Sequence, residues 1–201
     1  MLATQSQRRS ATAKCILPAV VLLLLAACSS GGAMLPNKLD PQTGVTVTFS
    51  GTPLVFYRDE SGRAAHARNY VHLGPLEVNR SGSYRYFLWL GIWNTMQDAA
   101  VVGSRDGFES IVIFADGEPL SLDVSGWTPA AIGASESAYL KPVSSAADAY
   151  YEVTVDHLRL IAASGDLRLQ TTGSSPRNFE LWNQQSAARA DLRVFLEQSV
   201  Y

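Results

Sequence analysis

Cysteine is nearly absent. Cys15 and Cys28 are the only two in 201 residues, so nothing after residue 28 can form a disulfide, a thiolate metal site or a cysteine nucleophile. Long apolar runs are missing as well. The most apolar segment, Cys15 to Ala27, falls short of the roughly 20 residues a spanning helix needs. There is no excess of positive charge: 16 Lys and Arg stand against 18 Asp and Glu, a formal net charge of −2. That balance argues against nucleic acid and against broad adhesion to anionic lipid. The three histidines, His66, His72 and His157, have no spacing that would set two metal ligands on one face. Asp106, Asp116 and Asp123 lack the spacing of a calcium loop. No Gly-x-Ser-x-Gly elbow, phosphate-cradling glycine loop or dinucleotide fingerprint occurs. No metal, cofactor or catalytic residue is therefore expected. A Ser/His/Asp triad assembles only in three dimensions, which keeps a hydrolase as the competing reading.

What is present begins at the N-terminus. Arg8, Arg9 and Lys14 precede an apolar run that ends Leu25-Ala26-Ala27-Cys28, followed by Ser29-Ser30-Gly31-Gly32. A basic region, a short apolar region and small residues at a cut are the layout of a secretory signal. Residues 1–32 resemble the bacterial lipoprotein class, with Leu25-Ala26-Ala27-Cys28 as the lipobox. The resemblance implies cleavage before Cys28, a diacylglycerol on its thiol and a fatty acyl chain such as palmitate on its amine. Each buried methylene adds about 0.8 kcal/mol of membrane affinity, so several chains anchor firmly. Ser29 rather than Asp after the lipidated residue implies the outer membrane, facing the periplasm, over the inner one. Loss of residues 1–27 removes three bases and no acid, taking the formal charge from −2 to −5.

The division expected is a signal peptide over 1–27, a lipidated Cys28 with a flexible tether over 28–44, and one β-rich domain over 45–201. Gly, Ser, Pro36 and Pro41 give the tether its character. Period-two alternation then marks Val45–Ser50 and Leu54–Arg58 as strands. Tyr70 to Val78 reads as one bent strand or two short ones, interrupted at Gly74-Pro75, because proline cannot donate to a ladder. Asn79-Arg80-Ser81-Gly82 and Asp116-Gly117 are hairpin signals. Ser137-Ala138-Tyr139-Leu140 is a further strand candidate. Tyr150–Val155 is a strand, and Asp156 suits the N-cap of a short helix near 157–163. Leu167–Thr171 and Asn178–Trp182 form a last strand pair. An amphipathic helix over roughly 185–198 ends the chain, with Ala188, Leu192, Phe195 and Leu196 inward. The fold class expected is mainly β, an antiparallel β-sandwich or partly open barrel with these two helices.

Ser83 to Thr95 is the most apolar stretch after the signal. Its two parities are Tyr84, Tyr86, Leu88, Leu90, Ile92 and Arg85, Phe87, Trp89, Gly91, Trp93, and two apolar faces imply a central strand. The same row supplies the candidate ligand groove: Phe87, Trp89 and Trp93 as its wall, Arg85 and Asn94 as its polar rim. Sandwich core is the competing use of these aromatics. The function expected is a non-catalytic binding or interaction module held at the membrane through Cys28. Its partner would be another envelope protein or a small apolar or glycan ligand. A hydrolase of envelope polymers and a structural subunit of an envelope assembly are the alternatives.

Overall fold

The computed structural model describes residues 34–60, 62, 66–96, 105–183 and 185–199. From Leu35 onward the chain forms one compact unit. Its strands are β1 (Asn37–Leu39), β2 (Thr46–Phe49), β3 (Leu54–Asp59), β4 (Arg68–Arg80), β5 (Ser83–Asn94), β6 (Ser110–Ala115), β7 (Glu118–Gly126), β8 (Ala147–Val153), β9 (Leu167–Thr171) and β10 (Asn178–Leu181). Two helices accompany them, α1 (Val155–Ala163) and α2 (Ser186–Ser199). Among the described residues no helix is long and apolar enough to cross a membrane.

Eight strands close a barrel in the order β3-β4-β5-β8-β7-β6-β9-β10, every neighbour antiparallel. The seam is β10 against β3, with Glu180 opposite Tyr57 and Leu181 opposite Phe56. The expected sandwich or partly open barrel is thus corrected to a closed barrel. The pairing that closes it joins distant parts of the chain, and alternation within a strand carries no information about it. Alternate residues fill the interior: Phe56, Val71, Leu73, Leu88, Leu90, Ile111, Ile113, Tyr151, Leu169 and Phe179 share one buried cluster. Eight strands leave an interior that side chains can fill, so the barrel is a packed core. The helices finish it. Leu158 and Ile161 of α1 and Ala188, Leu192 and Phe195 of α2 belong to the same cluster. Arg189 of α2 donates to the carbonyls of Ser164 and Gly165 (3.1 Å to the latter), where the C-terminal end of α1 carries partial negative charge.

β4 runs unbroken through Gly74-Pro75, correcting the expected interruption. Along one edge it pairs fully with β5. Along the other it pairs with β3 up to Leu73, then with β2 from Leu76. Gly74 and Pro75 fall at this change of partner, where a missing N–H interrupts no ladder. A second buried cluster lies on the outer side of this part of the wall: Val47, Leu76, Val78, Phe87, Trp89, Ile132, Tyr139 and Tyr150. The β1–β2 hairpin and the irregular segment between β7 and β8 contribute to it. Tyr139 and Leu140 lie in that segment and form no strand, which corrects the candidate strand over 137–140. Tyr139 is 6% exposed and Leu140 93%; the chain there follows the wall without alternating.

Two hairpins behave as their sequences dictate. Ser81 and Gly82 have φ of 52° and 89°, Asp116 and Gly117 51° and 89°, the doubly positive pattern of a two-residue turn that matches strand twist. α1 starts earlier than expected, and its N-cap is Thr154, not Asp156. The Thr154 hydroxyl accepts from the His157 amide at 3.2 Å, while His157 Nδ1 accepts from the Thr154 amide. Asp156 lies in the first turn and pairs with Arg159 at 2.9 Å. Part of the segment expected to be a tether belongs to the folded unit. β1 pairs with β2, and Asp40 is buried, accepting from the amides of Gln42, Thr43 and Ser135. Above all, donation from Ser135 holds the Asp40 carboxyl well below the usual carboxylate range.

Candidate functional site: an aromatic strip on the barrel wall

The five groove residues are placed in four different surroundings. Arg85 is exposed, bonded to both carboxylate oxygens of Glu152 at 3.0 and 2.7 Å, its guanidinium 4.9 Å from the Phe87 ring centre. Phe87 and Trp89 have no solvent exposure. Trp89 stacks on Tyr139 at 4.7 Å and donates its indole N–H to Asp148 at 3.0 Å. Asn94 faces Asn69 across the β4–β5 ladder and is 5% exposed. These four therefore line no open groove; the core use of Phe87 and Trp89 prevails. Gly91 is part of the reason, since a Cβ there would come within 2.5 Å of the Trp89 ring.

Trp93 is different. Its outward parity on β5 brings it onto the bare wall, beyond the second cluster, where it is half-buried. Register does the rest: Tyr57 on β3 lies opposite Tyr70 on β4, and Tyr70 opposite Trp93 on β5. Trp182 follows β10, its amide donating to Val55 at 2.8 Å. The four rings form a strip across four adjacent strands. Tyr70 stacks on Trp93 (centres 4.5 Å apart, planes at 15°), Tyr57 meets Trp182 edge-on at 5.1 Å, and Tyr70 lies 5.9 Å from Trp182. Offset and edge-on pairs of this kind add about 0.5–1.5 kcal/mol each beyond area burial. Trp182 remains 38% exposed.

Charge is built into the strip. The Arg68 guanidinium lies 5.5 Å from the Tyr57 ring centre and 5.3 Å from that of Trp182, and donates to Asp59 at 2.7 Å. The Asp59 bond holds the guanidinium above its ordinary pKa. Tyr57, Arg68, Trp182 and Asn183 border a cleft of about 310 Å³. His72 closes the other side, edge-on to Trp93 at 5.9 Å, and burial pushes its pKa down to about 4. Its imidazole is neutral at pH 7. The indole N–H of Trp93 is buried without a partner. The strip thus combines flat apolar faces with a fixed cation, a carboxylate and an amide at the rim.

The histidines do not converge. His66 occupies the β3–β4 loop with φ of 72°, His72 the outer face of β4, and His157 the first turn of α1. Among the described residues no group of three or more His, Cys, Asp or Glu could hold a metal ion. Tyr57, Tyr70 and Trp182, which the sequence did not single out, each have the outward parity of their strand or follow it. Their juxtaposition depends on register between strands, which no local pattern reveals. Cys28 lies outside the described residues. Comparison with family models, curated proteins and solved structures finds nothing that matches this chain.

Proposed function

We propose that the chain is a lipid-anchored envelope protein whose barrel is a non-catalytic, glycan-binding module. The observation that carries the binding role is the strip Trp182–Tyr57–Tyr70–Trp93, partly open to solvent with Arg68, Asp59 and Asn183 beside it. A barrel of this size is filled by its own side chains, so a ligand is bound on the wall. A pyranose ring is amphipathic: its C–H faces lie on aromatic rings while its equatorial hydroxyls reach outward to polar groups. The strip offers both surfaces and a rigid base, since three of its four rings belong to paired strands. Anchoring is supported by Leu25-Ala26-Ala27-Cys28 and the Ser/Gly residues after it. It would hold the barrel at the periplasmic face of the outer membrane, within reach of envelope polymers.

Binding is tested by titrating the full chain in detergent with β-1,4-linked N-acetylglucosamine oligomers while following tryptophan emission. A saturable blue shift with protection from iodide is expected, weakened about tenfold by Trp182→Ala, the loss of roughly 1.4 kcal/mol. Absence of saturation, or equal binding by Trp182→Ala, overturns the glycan reading and leaves an envelope protein as the occupant of the strip. Anchoring is checked separately by metabolic labelling with a palmitate analogue. Label and membrane association should both vanish in Cys28→Ser, and label retained in that variant refutes lipidation at Cys28.

A further inference from the structure

The segment between β7 and β8 borders a second cleft of about 600 Å³, of the size that takes small ligands. Arg105, Trp127, Lys141, Ser145 and Asp148 line it. Arg105 is exposed, its guanidinium 5.0 Å from the Trp127 ring centre. Among the described residues no carboxylate pairs with it and no acceptor takes its side-chain N–H groups. The cation–π contact holds the guanidinium beside the indole, and its forked donors, which no described residue accepts, suit a planar two-oxygen acceptor.

The neighbouring charges are already committed. Asp148, 7% exposed, takes the Trp89 indole N–H on one oxygen and lies 3.2 Å from Lys141 Nζ on the other. Lys141 also donates to the Ala146 carbonyl at 2.8 Å, which leaves one of its three protons. Among the described residues lining the cleft, one positive charge, that of Arg105, is therefore uncompensated. A second observation is independent of charge: Ser145 Oγ is buried in the cleft wall with no hydrogen-bond partner, and such a group is destabilising unless something bonds it. A guanidinium that no described acceptor takes, an ammonium with a proton to spare and an orphan hydroxyl border one cleft.

We propose that this cleft binds a small ligand through an oxyanion, carboxylate or phosphate. Arg105 takes the oxyanion bidentately, Lys141 adds charge, and Ser145 bonds the ligand body. The site is separate from the aromatic strip and independent of the glycan reading. Calorimetric titration of the full chain in detergent tests it, with D-glucuronate and inorganic phosphate as probes and D-glucose as the uncharged control. Saturable heat with either anion and none with glucose is expected. Glucuronate alone identifies a carboxylate ligand, phosphate alone a phosphate ligand. Arg105→Gln should weaken binding about tenfold or more, as expected for a lost charge-assisted bond, and Ser145→Ala by a smaller factor. An unchanged unfolding midpoint in Arg105→Gln shows that the fold is intact. No saturation with either anion, equal heat with glucose, or unaltered affinity in Arg105→Gln overturns the proposal.

Discussion

Tyr139→Phe removes one oxygen atom from the point where the outer cover meets the barrel. The Tyr139 hydroxyl donates to the Pro75 carbonyl at 3.0 Å, accepts from the Ser50 amide at 3.2 Å and lies 2.9 Å from Ser50 Oγ. Three bonds use the full capacity of a phenol. They satisfy backbone groups at the end of β2 and at the change of partner on β4. In the phenylalanine variant the ring, its stacking on Trp89 and its edge contact with Phe49 are retained. Ser50 Oγ can instead turn its proton to the Thr52 carbonyl, 3.4 Å away. The Pro75 carbonyl and the Ser50 amide are left without this partner in a region where Ser50 has no exposure. At about 1–2 kcal/mol for each of the two unsatisfied groups, the lower part of the usual range, the expected loss is about 2–4 kcal/mol. For a chain of this length that lowers the thermal midpoint by roughly 5–15 °C. Urea unfolding followed by tryptophan emission and far-ultraviolet circular dichroism measures it, with an unchanged denaturant slope as the sign that only stability moved. A loss below about 0.5 kcal/mol refutes the reasoning, because the hydroxyl would then not be what latches the cover.

His72 gives a pH prediction. Its folded pKa, near 4, lies below the ordinary value of 6.5, so between these values the unfolded chain binds more protons. Stability is then full above pH 6.5, falls as the pH drops towards 4 and levels below it, with a total loss of up to about 3 kcal/mol. Unfolding midpoints across pH 4–7 should flatten in His72→Gln, and an identical slope in the variant assigns the effect elsewhere. Thr154→Ala deletes the cap of α1 and should cost about 1 kcal/mol, whereas Asp156→Ala should cost less; denaturant midpoints that reverse this order would contradict the capping assignment. Arg85→Ala breaks an ion pair whose side chains are 52% and 51% exposed; less than about 1 kcal/mol is expected, and a larger drop in midpoint would show that the pair holds β5 to β8.

Much of the strand inventory was legible because each strand states its own periodicity. Leu120 and Leu122 on β7, or Leu167 and Leu169 on β9, announce a buried face without reference to any partner. Ser81-Gly82 and Asp116-Gly117 likewise specify turns by backbone geometry alone. The amphipathic pattern of α2 gives Ala188, Leu192, Phe195 and Leu196 as its inner face; the first three are buried and Leu196 is half-buried against the same core. What stayed hidden depends on pairs distant in sequence. Barrel closure requires β10 beside β3, and the strip requires Tyr57, Tyr70 and Trp93 in register. The fate of Phe87 and Trp89 could not be read from β5 either, because the residues covering them come from an irregular segment without periodicity. Thr154 is hidden for a local reason: the β-branched strand pattern runs on through Val155, so the first capping side chain after it is Asp156.

The seam between β3 and β10 has a consequence for how the molecule is made. β3 emerges early in synthesis or export and waits for a partner at the far end of the chain. Until β10 and α2 arrive, the β3 and β9 edges are open, and open edges invite pairing with other chains. Closure over such a sequence separation is slow, because loop entropy is lost before the contacts form. A protein truncated after β9 would keep most of its strands and lose its protection against association. β10 and α2 thus decide whether the nearly complete barrel is sealed or left open to pairing with other chains.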